Sequence, residues 1–266
     1  MAAFITAMKK RGIHLYSTIL ARHLAKSTYP ETLTLNLSDL LSSPRPIKVA
    51  IVDDRPFPWK DALESRGCKV TYLSDYTKPI KQANQKIKAY DLSSHDIIIC
   101  DIHGVGSALY PGVDGLGVIE ELRMKNPLHV ICAYTGNPGA IYSRLRRQDA
   151  LDMVFSREWE IDDFLLNFDQ VARIFTSPKL RWDFIRRRLV HLGVSEREIN
   201  SVQRIFVENT LLSQMLNQRF KNDVSETKRL IGNTPSRIDL VSMAKFGIGA
   251  AELASLVSPF ILEAIK

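Results

Sequence analysis

Asp53, Asp54 and Asp101 are the residues of this chain whose type and placing point most directly to chemistry. Each stands at the polar end of a short apolar run. Asp53 and Asp54 close KVAIVDD (48–54), and Asp101 closes DIIICD (96–101). Two further runs end in groups able to meet an anion: HVICAYT (129–135) in Thr135, and DMVFSR (152–157) in Ser156 and Arg157. Continuous β-branched runs without alternation read as strands buried on both faces, as in a parallel sheet covered by helices. In such a sheet functional groups collect beyond the carboxyl ends of the strands. Carboxylates gathered there repel one another unless a cation sits among them, and an all-oxygen donor set suits Mg²⁺.

The elements that position these groups follow from periodicity. CKVTYL (68–73) suits a further strand, and the polar TKPIKQANQKIKAY (77–90) a solvated helix. PGVDGLGVIEELR (111–123) enters a helix after Gly115, while IYSRLRRQDAL (141–151) and DDFLLNFDQVARIF (162–175) have helical spacing. Strands alternating with helices predict an α/β, flavodoxin-like doubly wound parallel sheet of five strands. Ahead of it, Ala2 to Lys26 reads as a basic amphipathic helix, and TLTLNLSDLLS (32–42) as a strand before a helical turn. Beyond Ser177-Pro178 the pattern is helical. LRWDFIRRRLVHL stops near Gly193, and Ser195 with Glu198 is a capping-box pair. ETKRLIG, a turn at GNTPS and an apolar tail interrupted by Gly247, Gly249 and Pro259 complete an all-α region. The expected division is an N-terminal helical extension (1–45), the α/β domain (46–176) and a helical C-terminal domain (177–266).

The set of strand ends resembles the receiver domain of two-component response regulators, over roughly Pro46 to Arg173. That resemblance implies that Asp53 and Asp54 are metal carboxylates, and that Asp101 accepts a phosphoryl group from a histidine kinase or a phosphotransfer protein. It implies that Thr135 is the hydroxyl that rearranges around the phosphate, and that Mg²⁺ is also met by Asp101 and by the backbone carbonyl of His103. Gly115 matches the family's glycine after the phosphoacceptor. The family's lysine at the end of the fifth strand is missing. Arg157 is the positional substitute, with Ser156 one residue out of register, and a planar guanidinium does not replace an amine neutrally. The segment after the acidic pair (RPFPWKDALESRG, 55–67) is short, and the loop after Asp101 (IHGVGSALYPGVDG) is long for the family. A degenerate receiver, serving as an unphosphorylated interaction or dimerisation module, is the alternative.

Composition describes an ordinary globular protein. The chain has 266 residues, 45% hydrophobic, with a net charge of +7. Residues 47–177 carry slightly more carboxylates than cations, while both flanks are basic. Basic flanks admit nucleic acid as a partner without arguing for it. Cys68, Cys100 and Cys132 are odd in number, lack ligand spacing and read as buried thiols of a reducing compartment, with the cytoplasm the expected location. No apolar run is long enough to span a membrane. The apolar tail 241–265 has more apolar positions than one lone helix can hide, which points to a homodimer.

Two other readings are weaker. GVSEREINSVQRIF has a faint similarity to a DNA-binding helix-turn-helix, but Val202, Ile205 and Phe206 read as core positions rather than an exposed recognition face. IIICDIHGVG looks like the opening motif of calcineurin-type metallophosphoesterases. That chemistry needs several later His ligands, and after Asn137 the chain has only His191. Plain structural readings stand beside the functional ones. The aspartates are also good strand-end caps, Thr135 suits a turn in YTGNPG, and Arg157 followed by Glu158 suits a surface ion pair.

Overall fold

The computed structural model describes residues 15–29, 46–73, 92, 95–175 and 177–219. The expected strand at 32–42, the helix at 77–90, the start of the N-terminal helix and everything beyond Arg219 lie outside the described residues. In chain order the elements are helix α1 (15–24), β1 (Lys48–Val52), α2 (Lys60–Ser65), β2 (Lys69–Tyr72), β3 (Ile97–Asp101), α3 (Gly115–Lys125), β4 (Val130–Thr135), α4 (Ile141–Arg144), β5 (Met153–Ser156), α5 (Ile161–Ala172), α6 (Pro178–His191) and α7 (Glu196–Arg219). They belong to two compact units. One is built on Pro46–Arg173, and the other draws on residues from both sides of it.

In the α/β unit all five strands are parallel, in the order β2-β1-β3-β4-β5. This is the flavodoxin-like doubly wound order expected from the sequence. Every residue of β3 and β4 is buried, and β1 is buried after its first residue. One face of the sheet packs Ala50, Val52, Ile98, Cys100, Ile131 and Ala133 against Leu116, Ile119 and Leu122 of α3. The other face is aromatic. Trp59 stacks on Phe164 of α5 at 4.3 Å, and Phe155 meets Phe164 edge-on at 5.1 Å. The three cysteines are free and buried.

The helix expected over 141–151 is broken. A single turn, α4, stands between 3-10 turns at Pro138–Ala140 and Gln148–Ala150. Leu145 is extended, Glu120 Oε1 takes the Arg146 N–H at 2.7 Å, and Arg147 folds onto Asp149 at 2.9 Å. At Arg146 a side-chain acceptor thus takes the place of the carbonyl that a continuous helix supplies.

The helical unit is set by its caps. Ser177 Oγ accepts the Leu180 N–H at 3.4 Å with Pro178 at the first helical position, and α6 ends at Gly193, whose φ of +75° a side chain resists. Ser195 and Glu198 form the expected capping box: Glu198 Oε2 accepts the Ser195 N–H at 3.1 Å and Ser195 Oγ accepts the Glu198 N–H at 3.4 Å. Trp182 of α6 meets Phe206 of α7 at 5.6 Å. Val202, Ile205 and Phe206 are buried, as their spacing suggested, so they do not offer a face to DNA. Ala21 of α1 packs with Leu212 of α7, and Arg22 Nε donates to Glu208 Oε1 at 3.4 Å. Among the described residues no helix is long and apolar enough to cross a membrane.

One glycine is required by close approach. A Cβ on Gly115, at the start of α3, would fall on the Asp101 carbonyl oxygen and 2.7 Å from Ile102 Cα, both backbone atoms that cannot turn aside. A Cβ on Gly136 meets nothing within 4 Å. Gly115→Ala is therefore expected to lower unfolding free energy by about 3 kcal/mol, whereas Gly136→Ala leaves it within about 1 kcal/mol, both read from urea denaturation.

Candidate functional site

Register delivers the polar strand ends to one edge. Val52 pairs with Cys100, Asp101 with Tyr134, and Thr135 with Ser156. Asp53 follows β1 directly and Arg157 follows β5, its N–H donating to the Thr135 carbonyl at 2.8 Å. Because strand side chains alternate, Asp101, Tyr134 and Arg157 project to the aromatic face, while Thr135 and Ser156 have the opposite parity.

Asp53, Asp54 and Asp101 come together as expected: each offers a carboxylate oxygen within 4.8 Å of the others. Asp53 and Asp101 are buried and Asp54 is exposed. Asp53 Oδ1 accepts the Arg55 N–H at 2.8 Å, and Asp101 Oδ1 accepts the His103 N–H at 3.2 Å. Burial, reinforced by Asp101 and Asp54, lifts the Asp53 carboxyl from the ordinary 3.8 to about 6 against the pull of the Arg55 N–H and of Arg157. The loop after β3 closes tightly on the group. A Cβ on Gly104 would lie 2.8 Å from Asp54 Oδ2, and Asp114, just before α3, holds a φ of 49° although it is not glycine. That backbone strain, of order 1–3 kcal/mol, accompanies the close seating of Gly115 on Asp101.

Arg157 is the counter-ion. Its Nη2 pairs with Asp101 Oδ2, not with Glu158, and its guanidinium lies over the Tyr134 ring at 5.1 Å. Ser156 turns away, its Oγ accepting the Glu158 N–H at 3.2 Å. Thr135 is buried at the end of β4, and its Oγ1 accepts the Asn137 N–H at 3.3 Å, which leaves its own proton to donate. The His103 imidazole is exposed and stands outside the acidic group; only its backbone N–H reaches Asp101.

Sequence reasoning passed over Tyr134, Phe57, Trp59 and Tyr72. Phe57 and Trp59, from the segment right after Asp54, meet Tyr134 edge-on at 5.0 and 5.4 Å. An aromatic residue immediately before Thr135 was the available signal. The Tyr72 hydroxyl is buried without a hydrogen-bond partner among the described residues. Burial and the three aspartates push it up to about 12.

The donor set fits a hard divalent cation. Three carboxylates face one guanidinium, which leaves negative charge in excess, and all the ligand atoms are oxygens. Asp53 and Asp54 make no ion pair among the described residues, whereas one oxygen of Asp101 faces Arg157.

A flavodoxin-like α/β domain with an acidic group beyond the ends of β1 and β3 is the class that fold and site define. No family model matches the chain, and no curated protein matches it. Among solved structures it is similar to the signal receiver domain of an HD domain-containing protein from Pseudomonas fluorescens Pf-5. That likeness has a TM-score of 0.32 and 16% identity, over 49% of this chain and 89% of that one. At that score it adds no argument to the one drawn from the sheet itself.

The raised Asp53 carboxyl makes a signed prediction. The folded chain holds this proton more tightly than the unfolded chain, so stability is lost as pH rises from about 4 to about 6. Without divalent cations, Asp53→Asn should stabilise the protein by about 3 kcal/mol at pH 7, and the gain should vanish below about pH 4. Paired urea titrations of both proteins at the two pH values measure it.

Proposed function

We propose that the α/β unit is a phosphoryl-acceptor module of the receiver kind. Asp101 accepts the group, and Asp53 and Asp54 hold Mg²⁺ beside it. The observation that carries this reading is the meeting of the Asp53 and Asp54 carboxylates with Asp101 at the carboxyl edge of the sheet. The donor is a phosphohistidine on a kinase or phosphotransfer protein. Its P–N bond breaks with the electron pair going to the imidazole nitrogen, and a P–O bond forms to Asp101. Bound Mg²⁺ supplies the positive charge that offsets the crowded carboxylates and the transferring group. The Thr135 hydroxyl donates to a phosphoryl oxygen, and the new charge at the sheet edge biases a surface toward a partner. The partner we propose is a second copy of the chain, met through the helical unit, where Leu15 and Ile19 of α1 are more than half exposed.

A specific observation favours the second reading, an unphosphorylated interaction module. The Asp101 side chain has 0% exposure, with one oxygen facing the His103 N–H and the other Arg157. Incubation with acetyl phosphate and Mg²⁺ decides between them on a phosphate-affinity gel. The expected result is a shifted band that Asp101→Asn abolishes and chelation prevents. No shift in the unaltered protein sinks the acceptor reading and leaves the interaction module. Light scattering should return twice the chain mass at micromolar concentration; a monomer at all concentrations rejects the homodimer.

A further inference from the structure

We infer that Arg157 is an internal latch on the acceptor. Its guanidinium holds the Asp101 oxygen that cation and phosphoryl group need, and it must swing off for either to be taken up. This deepens the acceptor reading and rests on it.

The geometry of the hold carries the inference. The Asp101 side chain has no exposed surface, whereas Arg157 keeps 27% of its own, so the arginine is the part of this pair that solvent reaches. The pair is electrostatic rather than a bidentate fork. Nη2 stands against Asp101 Oδ2, that oxygen accepts no well-directed hydrogen bond, and the buried Arg157 Nε has no acceptor among the described residues. A fully satisfied fork is the strong arrangement, and a buried donor without a partner is a costly one. This rotamer is therefore held by charge and by the face of Tyr134, 5.1 Å below the guanidinium carbon. Tyr134 is itself gripped by Phe57 and Trp59, which follow Asp53 and Asp54 within a few residues. The acidic pair and the platform of the arginine are thus one packed body.

Competition follows from charge. A divalent cation among the three aspartates and a guanidinium on Asp101 are like charges beside two buried carboxylates, where their repulsion is only partly screened. Removing the guanidinium frees Asp101 as a ligand and removes the repulsion together. A lysine keeps the charge but loses both the planar contact with Tyr134 and some reach.

Direct Mn²⁺ binding to the full chain, read from the electron paramagnetic resonance signal of the free ion, tests this. Arg157→Gln should bind Mn²⁺ roughly tenfold more tightly than the unaltered protein, with Arg157→Lys in between. The lysine variant carries the test if the glutamine variant does not fold. Equal or weaker binding by both variants overturns the latch. The paired variant Asp53→Asn with Asp54→Asn separates the two failures. Binding that it abolishes, but that Arg157→Gln does not strengthen, sinks the latch alone. If neither the unaltered protein nor Arg157→Gln binds more Mn²⁺ than that paired variant, the acceptor site and its latch fall together.

Discussion

Parallel pairing of β1, β3 and β4, buried on both faces, is the constraint on which everything else depends. A strand with no solvent face has to satisfy its backbone groups through its neighbours, so the register between Val49, Ile97 and Val130 has almost no freedom. Parallel direction then brings the carboxyl ends to a common edge. Once the apolar runs are in the core, Asp53, Asp101 and Thr135 are carried to that edge and held there. The precision of the site is inherited from the core.

That placement works against stability. Asp53 and Asp101 are buried, and the cost of desolvating Asp53 shows in a carboxyl raised to about 6. The strained Asp114 and the close seating of Gly115 against the Asp101 backbone lie in the same neighbourhood. Arg157 offsets part of the charge from the end of β5, and Tyr134, Phe57 and Trp59 hold it in place through aromatic packing. Strain and unbalanced charge thus collect at one sheet edge.

The helical unit rests on different physics. Its boundaries are set by local caps, at Ser177, Gly193 and the Ser195–Glu198 pair, and its core by Trp182, Phe206 and the small contact of Ala21 with Leu212. Local signals of this kind are readable one element at a time. Which segments share a core is not: α1 precedes the sheet in the chain, yet it packs with α7, which follows it.

The sequence by itself determined the strands, their parallel arrangement and the acidic edge. Runs such as IIIC and VICA are short, apolar and rich in β-branched residues, as buried strands are, and each one announces its end with a polar residue. Asp53, Asp54 and Asp101 were legible for that reason, whereas the close approach that requires glycine at position 115 was not. The helix over 141–151 was misread because Glu120 and Asp149, which capture Arg146 and Arg147, act through side chains that periodicity does not see. The choice between Ser156 and Arg157 was likewise beyond the sequence. A shift of one residue turns a strand side chain to the opposite face, and only the pairing of Thr135 with Ser156 puts Arg157 on the side of Asp101. Tertiary structure alone also seated Tyr134 beneath that guanidinium, since the contact joins two strands whose register is fixed by the core rather than by either segment.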